Sequence, residues 1–448
     1  MRAESSPPAE VSPPGDMSLP ADMVLRRFTA GHDPDGSADA RTLAWLRSAA
    51  AGFLAEPPSP EHAARTVESF RHDARVLTGV YDLSARAPGW GPDRPVATYA
   101  TMRKSLNVGG GRVVAAQLIA DVMVLPTHRG RGLLRRMMED DLRRAAAGGV
   151  PIAALYAADA GLYARYGFGP AMRTHQAEVD LRRVRFTGSP AGTVAVADPE
   201  ALGEVVPAVY DQFQRTTIGS VQRLWSHASK VCGLWAEDAP DRDAAVRGAV
   251  HRGDDGVPDG YVTFRFRGWQ ERPLALEVVD IVALTSAAHL GLWGFLASHT
   301  QADVVRLGHM AFDDPLPWSL ADRRAVRVVG EEDGLWLRIL DVQQCLRERL
   351  RDAAGDPLTL RVSDDLGICP GAYRIAPGRD GVEVAPVDPD GAVDATLDVG
   401  TLASMFLGGY SAGVLERAGR IRCGSPGVVA RLERLFGSTR APYNDIHF

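Results

Sequence analysis

Apolar and polar residues alternate along this chain with two different periods, and the periods mark a series of helices and strands. Apolar residues three or four apart predict helices, whereas strict alternation and short unbroken apolar runs predict strands. The order predicted for the first third of the chain is helices at 40–54 and 60–73, strands at 75–82, 96–105 and 113–125, a helix at 132–147 and a strand at 151–157. This mixture predicts an α/β or α+β domain.

The helix predicted at 132–147 is the most regular of these elements. Its apolar residues form one stripe, which consists of Leu133, Leu134, Met137, Met138, Leu142 and Ala145. Glu139 and Arg143 stand four residues apart on the polar side, where opposite charges support a helix. Gly148 and Gly149 follow the stripe and predict the end of the helix.

A second strand–loop–helix unit repeats the pattern that leads into this helix. Residues 121–127 and 280–286 share an initial aspartate, an apolar run and a final hydroxyl residue, and each precedes a helical pattern. The loop of the second copy, residues 287–290, has none of the glycines and arginines of the first. We therefore expect the second unit to keep the fold and to have lost the chemistry that depends on those residues.

The C-terminal third predicts a smaller α+β domain with an apolar groove. Its predicted elements are a helix at 342–351, strands at 358–363, 372–375, 381–385 and 395–399, and helices at 402–407, 412–418 and 427–436. A stretch rich in Gly, Pro and Ser at 187–192 predicts a linker. The expected division is a tail at 1–20 and domains at 21–186, 187–335 and 336–448.

Composition limits the classes of function. The chain is 45% hydrophobic and 24% charged, which is typical of a soluble protein, and its formal net charge of −6 gives no reason to expect nucleic acid or a membrane as partner. Residues 1–20 lack an apolar run and predict a disordered tail, not a signal peptide. The apolar stretch at 278–297 is interrupted by polar residues and predicts no membrane span. Four widely spaced cysteines suit a reducing cytoplasm, which is the expected location.

The strongest chemical signal is the loop before the helix at 132–147. An apolar strand runs into Arg129, Gly130, Arg131 and Gly132, and this loop opens the helix. Backbone N–H groups at a helix N-terminus form an anion site, which guanidinium groups strengthen. Such a site suits the pyrophosphate of a nucleotide-like cofactor. A basic, solvated turn on a surface helix is the alternative.

This loop resembles the coenzyme A loop of the GCN5-related N-acetyltransferases (GNATs), whose pattern is Arg/Gln-x-x-Gly-x-Gly/Ala. Leu134 departs from that pattern because it stands at the last small position. Further motifs in the same order resemble the Eis (enhanced intracellular survival) family of acetyltransferases. They are Pro-Thr-His-Arg-Gly-Arg-Gly-Leu-Leu at 126–134, Leu-Tyr-Ala-Arg-Tyr-Gly-Phe-Gly-Pro at 162–170, Asp-Pro-Leu-Pro at 314–317 and Asp-Gly-Leu-Trp-Leu-Arg at 333–338.

The resemblance implies a fold and an activity. It implies two tandem GNAT domains, the second inactive, followed by a sterol-carrier-like α+β domain. It also implies acetyl-CoA-dependent acetylation of amines, on aminoglycoside-like small molecules or on peptide lysines, without a metal. The family's hexameric assembly implies a homohexamer.

The resemblance also assigns the acetyl-CoA contacts to residues of this chain. They are Val122, Met123 and Val124 on the strand, Gly130, Arg131, Gly132, Leu133, Leu134 and Arg135 in the loop and first helical turn, and Ala158 and Asp159 after the next strand. Glycines in the loop let the backbone approach a phosphate closely. The strand residues match those that pair with the amides of the pantetheine arm.

Two groups match the family's proton-transfer residues. Tyr163 matches the proton donor to the departing thiolate, and a phenol with an ordinary pKa of about 10 suits that role. A structural tyrosine in an aromatic-rich segment is the alternative. The α-carboxylate of Phe448, the last residue of the sequence, matches the proton acceptor from the amine. A frayed terminus is the alternative for Phe448.

The acceptor is less well defined by the sequence. His447 adds no negative charge beside Phe448, whereas the family's aminoglycoside sites are acidic; Glu56 and Asp445 are the candidates to supply that charge. The alternative function is that of an apolar-ligand or lipid-binding protein. In that case the C-terminal domain would bind the ligand and the GNAT domains would be non-catalytic scaffolds.

Overall fold

The computed structural model describes residues 19–86, 88–188, 191–236, 239–378 and 381–448. Residues 1–18 of the expected tail lie outside the described residues, and so do residues 189 and 190 of the expected linker. Within the described ranges, no helix is long and apolar enough to cross a membrane.

The helices and strands predicted for the first segment are present with bounds that differ by a few residues, and three further elements, at 23–29, 160–164 and 169–170, were not predicted. Its elements are β1 (Met23–Thr29), α1 (Ala40–Gly52), α2 (Pro60–His72), β2 (Val76–Asp82), β3 (Ala97–Gly109), β4 (Arg112–Val124), α3 (Leu133–Ala147), β5 (Ile152–Tyr156), α4 (Ala160–Ala164) and β6 (Gly169–Pro170). The side chains of Asp39 and Ser59 cap the N-termini of α1 and α2, respectively.

The second segment has the same alternation of sheet strands and covering helices. Its elements are β7 (Arg173–Asp180), β8 (Thr193–Ala197), α5 (Pro199–Thr216), α6 (Trp225–Val231), β9 (Val246–Arg252), β10 (Pro258–Phe266), β11 (Ala275–Ala283), α7 (Ser286–Ala297), β12 (Val304–Ala311), α8 (Leu316–Ser319), β13 (Val326–Asp333) and β14 (Leu335–Ile339). The repeat read from residues 280–286 is confirmed, since these residues run from β11 into α7.

The third segment is the predicted α+β unit. Its elements are α9 (Val342–Arg349), β15 (Leu358–Ser363), β16 (Gly371–Gly378), β17 (Gly381–Val387), β18 (Ala395–Asp398), α10 (Val399–Phe406), α11 (Ala412–Arg417), β19 (Ile421–Cys423) and α12 (Pro426–Phe436). Residues 437–448 follow α12 without helix or strand.

Three sheets organise these segments. The first has the order β1-β2-β3-β4-β5-β14-β6, the second β13-β7-β12-β11-β10-β9-β8, and the third β17-β16-β15-β18-β19. One hydrophobic core reaches all three sheets, because it joins Leu118 of β4, Tyr261 of β10 and Leu360 of β15. Its continuity holds the three units together as one packed body.

Two strands, β7 and β14, belong to a different sheet from the one that the expected domain limits imply. β7 lies within residues 21–186, yet it pairs with β12 and β13 of the second sheet. β14 begins at the expected limit of 335 and inserts between β5 and β6 of the first sheet. Hydrophobic alternation marks a strand without naming its partner, and this is why the sequence placed these limits differently.

Arg338 of β14 ties the first sheet to the third domain. Its guanidinium is fully buried and binds Asp364 through two hydrogen bonds, of 2.7 Å to Oδ1 and 2.8 Å to Oδ2. Its Nε also donates to the carbonyl of Tyr166, three residues after Tyr163, at 2.7 Å. The last arginine of the Asp-Gly-Leu-Trp-Leu-Arg motif is thus a cross-link between domains.

We expect Arg338→Ala to lower the free energy of unfolding by about 3–5 kcal/mol, because it leaves the Asp364 carboxylate buried without its counter-charge. Chemical denaturation monitored by circular dichroism measures the change. Arg420→Ala is the matched control, since Arg420 and Asp398 form an exposed pair in the third domain and its loss should cost less than about 1 kcal/mol. Equal losses in both variants would contradict the role assigned to Arg338.

Candidate active site

The centre of the first sheet opens into a cleft. β4 and β5 pair in parallel only from Ala116 to Leu118, so none of the described strands pairs with the edge of β4 beyond Leu118 that faces away from β3. At the same point Asp121 adopts a positive φ of 53° and the register between β3 and β4 shifts. Arg75 holds this bulge through an ion pair with Asp121 of 2.8 Å. A bulge that redirects a strand leaves free backbone groups on one side of the cleft.

The loop at the top of the cleft leaves a helix N-terminus unsatisfied. Gly132 is the N-cap residue of α3, with φ 75°, and within the described part of the chain no side chain caps the helix. The first turn also has no acidic residue. The first N–H groups of a helix need an acceptor, and no described residue supplies a side-chain acceptor as cap here. Gly130 has φ 76°, and a Cβ placed on either glycine would enter open space.

The side chains of the first helical turn divide between core and solvent. Leu133 is buried, and Leu134 packs partly against the same core, so both face the sheet. Arg131 is exposed beside the loop. Arg135 bonds Glu139 through its Nε at 2.6 Å, although its side chain remains 64% exposed. The positive potential at this end of α3 therefore comes from the backbone and from exposed guanidinium groups.

The remaining cofactor candidates border the same cleft. Val122 and Val124 are half-buried against the first-sheet core, and the side chain of Met123 turns to the opposite side, toward Gly52 of α1. Ala158 and Asp159 are exposed directly after β5. Asp159 has a structural use as well, because its Oδ1 accepts the N–H of Leu162 and caps α4.

Tyr163 lies on α4, beyond the end of β5. The residue is buried, and its ring meets Phe168 edge to face with centroids 6.3 Å apart. Burial, with smaller contributions from Tyr166 and Asp159, raises the pKa of Tyr163 to about 12. The phenol is thus a weaker acid than its ordinary pKa suggests, and it stays protonated at every physiological pH.

The C-terminal tail, residues 437–448, is anchored between the first two domains. Asn444 is 2% exposed and makes three hydrogen bonds. Its Oδ1 accepts the N–H of Val221 at 2.9 Å, and its Nδ2 donates to the hydroxyl of Tyr156 and to the carbonyl of Ile446, both at 2.8 Å. Ile446 is fully buried in the shared core. These contacts hold the tail against the end of β5, so the frayed terminus considered from the sequence does not describe it.

The last two residues pack on the end of β5. His447 stacks on Tyr156 with ring centroids 4.1 Å apart, and the ring of Phe448 meets Tyr156 edge to face at 5.5 Å. The centroid of the His309 ring lies 4.4 Å from that of the His447 ring. Loss of hydration and the neighbouring His309 lower the pKa of His447 to about 4, so its imidazole is neutral at neutral pH. Phe448 is therefore brought next to the strand that forms one wall of the cleft.

Asp445 points away from the cleft, into a buried polar cluster. It shares a hydrogen bond with Asp280 of β11, whose Oδ2 also accepts from Arg223 at 2.8 Å and from the hydroxyl of Tyr261 at 2.7 Å. Burial, and then the Asp280 carboxylate, raise the pKa of Asp445 well above its usual range. Asp445 therefore keeps its proton to higher pH than an ordinary aspartate, which makes it a poor source of negative charge for an acceptor. Glu56 lies exposed between α1 and α2.

Sequence reasoning missed the residues that build the tail anchor. Asn444 and Tyr156 form its central hydrogen bond, and Asp121 forms the bulge of β4. The run of Pro, Tyr, Asn, Asp and Ile before His447 was the available signal, since polar residues close to an apolar terminus need buried partners. Among the described residues, no group of three or more His, Cys, Asp or Glu side chains is arranged to hold a metal ion.

Comparison with known proteins agrees with this architecture. The family model described as an acetyltransferase (GNAT) domain matches residues 39–171, and a second model with that description matches residues 219–339. A sterol carrier protein domain matches residues 342–445. The cleft between β4 and β5, with the glycine loop before α3, thus belongs to an N-acetyltransferase of the GNAT superfamily. The predicted fold, two GNAT domains followed by a sterol-carrier-like domain, is confirmed.

Relatives along most of the chain define the family more closely. An uncharacterized N-acetyltransferase of Streptomyces avermitilis is 34% identical over 418 residues, which cover 91% of this chain and 96% of the relative. The N-acetyltransferase Eis of Mycobacterium bovis is 32% identical over 366 residues, which cover 78% of this chain and 85% of that protein. The chain belongs to the Eis family of N-acetyltransferases, as its motifs indicated.

Solved structures show the same arrangement. Eis1 from Mycobacterium abscessus superposes with a TM-score of 0.70 at 28% identity, over 83% of this chain and 90% of that one. A GCN5-related N-acetyltransferase from Anabaena variabilis superposes with a TM-score of 0.76 at 19% identity, over 95% and 100% of the two chains. The three-domain architecture therefore extends to proteins whose sequences have diverged widely.

Proposed function

We propose that this enzyme transfers the acetyl group of acetyl-CoA to amines of aminoglycoside-like small molecules or of peptide lysines. The observation that carries this proposal is the uncapped N-terminus of α3 above the cleft between β4 and β5. Free N–H groups at a helix N-terminus, with exposed arginines nearby, suit a pyrophosphate. The open space beyond Gly130 and Gly132 leaves room for it.

Acetyl-CoA bound there would supply an activated thioester. Residues 130–135 would hold its phosphates, mainly through backbone N–H groups, and the unpaired edge of Val122, Met123 and Val124 would pair with the pantetheine amides. Ala158 and Asp159 would form the opposite wall. Tyr163 would donate its phenolic proton to the departing sulfur, which would otherwise leave as a thiolate.

The attacking amine needs a group that removes its proton, and we assign that role to the Phe448 α-carboxylate. The anchored tail supports the assignment, because Asn444 and Ile446 fix the residues just before Phe448 beside β5. A carboxylate binds an ammonium ion by charge, and an apolar setting raises its pKa and so its strength as a base. Neutral His447 leaves the terminal carboxylate as the anionic group of the last two residues.

Titration calorimetry of acetyl-CoA into the intact chain tests the donor site. We expect heat of binding from the parent protein and an affinity lower by about tenfold or more in Gly132→Val, an effect of about 1.4 kcal/mol, because a branched side chain would enter the space left for the phosphates. Gly149→Val is the matched control, since Gly149 has φ 72° and open space at the other end of α3. Gly149→Val should bind acetyl-CoA as the parent does.

The absence of any binding heat would overturn the acetyl-CoA assignment and favour the lipid-binding alternative. If binding is found, mass-resolved products from polyamines, aminoglycosides and lysine peptides identify the acceptor class. For the assembly we propose a homohexamer, which the family resemblance supports. Analytical ultracentrifugation would contradict it by showing a monomer or a dimer at the concentrations used for the assay.

A further inference from the structure

The second GNAT domain has a cleft of its own, at the position that corresponds to the cofactor cleft of the first. β11 and β12 pair in parallel only from Ala275 to Val278 on β11, and the two strands then diverge. A cavity of about 410 Å³ lies at this end of the domain, bordered by the last residues of both strands and by the start of α7. Its volume is in the range of small-molecule sites.

In this cleft, side chains of the protein occupy the position at the N-terminus of α7 where an anion would bind. Thr285 caps α7, with its Oγ1 accepting the N–H of Ala288 at 3.0 Å. The same hydroxyl donates to Oδ2 of Asp259 at 2.8 Å, so a carboxylate of the protein already stands at this helix N-terminus. Where Gly132 leaves α3 open, Thr285 and Asp259 close α7. A phosphate placed there would meet a negative charge and find its hydrogen-bond donor used.

The cavity that remains is lined by apolar and polar side chains in similar measure, and two carboxylates are among them. Ile281, Leu284 and Met310 contribute apolar walls, and Asp313 and Asp314 stand beside them. Asp314 opens the Asp-Pro-Leu-Pro motif, which plays no part in the chemistry of the first domain. This combination suits a ligand that has an apolar body and a polar, positively charged end.

The charges of the lining add up to one negative charge. Asp313, Asp314 and Arg440 are the lining residues with a formal charge, and their charges sum to −1 with the two lining histidines counted as neutral. His289 is already engaged, because its Nε2 lies 3.3 Å from Oδ1 of Asp314. A single ammonium group would neutralise the remaining charge, whereas a carboxylate or a phosphate would increase it.

We propose that this cleft binds a small molecule with an apolar body and one ammonium group. The ligand would also touch the C-terminal tail. Asp313 accepts the N–H of Ala441 at 2.7 Å, and Tyr443, on the cavity wall, donates its hydroxyl to the carbonyl of His309 at 3.3 Å. The tail continues from Tyr443 to the residues that pack on β5. Binding of the ligand in this cleft does not depend on the proposed function. An effect of the bound ligand on acetyl transfer would rest on the proposed function.

The probe for this site is N,N-dimethyl-2-phenylethylamine, a tertiary amine that cannot form a stable amide and so is no acetyl acceptor. Its uncharged counterpart of similar size is 2-methoxyethylbenzene. By titration calorimetry without acetyl-CoA, we expect the amine to bind about tenfold more tightly than the ether, or better, because only the amine neutralises the carboxylates. Equal affinities for the two compounds would overturn the proposal.

Two variants locate the binding. Asp313→Asn combined with Asp314→Asn keeps the backbone hydrogen bonds that these side chains accept and removes both charges. This double variant should lower the affinity for the amine by about tenfold or more. Ala283→Met fills the cavity from β11 and should abolish binding of the amine. The control is Asp211→Asn combined with Asp254→Asn, which changes the net charge equally at exposed positions of the same domain.

Unchanged amine affinity in both cleft variants, with circular dichroism spectra like the parent's, would overturn the proposal. The same would follow if the control weakened the amine as much as the cleft variants did. Acetyl-CoA titrated into each variant should give the parent's affinity. If the parent protein does not bind acetyl-CoA, that result contradicts the acetyl-CoA site proposed in the first domain. The test of the cleft in the second domain does not depend on it.

Discussion

Tyr163→Phe should lower kcat by about 10²–10⁴-fold and leave the affinity for acetyl-CoA nearly unchanged. Phenylalanine keeps the ring and its contact with Phe168, so the variant removes the hydroxyl and its proton alone. Free thiol released from acetyl-CoA in the presence of an amine acceptor measures the rate. Tyr166→Phe is the matched control, since Tyr166 is equally buried three residues later. Its turnover should stay within a few-fold of the parent's.

The pH dependence of kcat is a second test of the role proposed for Tyr163. The proposed donor must be protonated, and a raised pKa extends the protonated form to higher pH. With a pKa of about 12, about one Tyr163 in a hundred is ionised at pH 10, so kcat should not decline on the alkaline side up to that pH. A decline with a midpoint near pH 10 that disappears in Tyr163→Phe would show that burial has not raised the pKa. Turnover in Tyr163→Phe equal to the parent's would remove the residue from the mechanism.

Blocking the α-carboxylate of Phe448 should lower kcat by about 10²-fold or more. A C-terminal carboxamide, made by ligating a synthetic tail, removes the charge and changes nothing else. Extension by Gly-Ser-Gly moves the carboxylate three residues further along the chain. Both changes should leave the affinity for acetyl-CoA unchanged, because the proposed phosphate-binding residues lie in the loop before α3 and in its first turn, away from the tail.

Phe448→Leu separates the carboxylate from the aromatic ring. It keeps the α-carboxylate and an apolar side chain but loses the contact with Tyr156, so kcat should fall only a few-fold. A loss as large as that of the carboxamide would assign the effect to the ring and its packing. Full activity of the carboxamide would exclude the α-carboxylate as proton acceptor and return the search to water or to another anionic group near the cleft.

The local elements of the cleft followed from the sequence because each depends on neighbours along the chain. The apolar run of β4, the glycines of the loop and the stripe of α3 lie within residues 112–147, and all three have the predicted form. The degenerate second unit was equally readable, since the glycine and arginine positions are absent from its loop. Gly132 could be singled out, but the missing cap on α3 needed the structure.

The long-range features did not follow from the sequence. The place of β14 between β5 and β6 depends on partners more than 160 residues away, and alternation does not encode a partner. Asn444 is one polar residue among several near the end of the chain, and its role as an anchor depends on hydrogen bonds with Tyr156 and Val221. Asp445, considered as an acceptor charge, proved to be buried against Asp280, because the tail turns it into the second domain.

The position of β14 also has a consequence for how the enzyme is made. During translation the ribosome releases β5 long before it releases residues 335–339, so the nascent first domain exposes the edge of β5 until the whole second domain has emerged. An exposed edge strand is a template for unwanted pairing with other chains. A fragment ending near residue 171 would keep that exposed edge permanently, so dissecting this enzyme requires a fused copy of the missing strand.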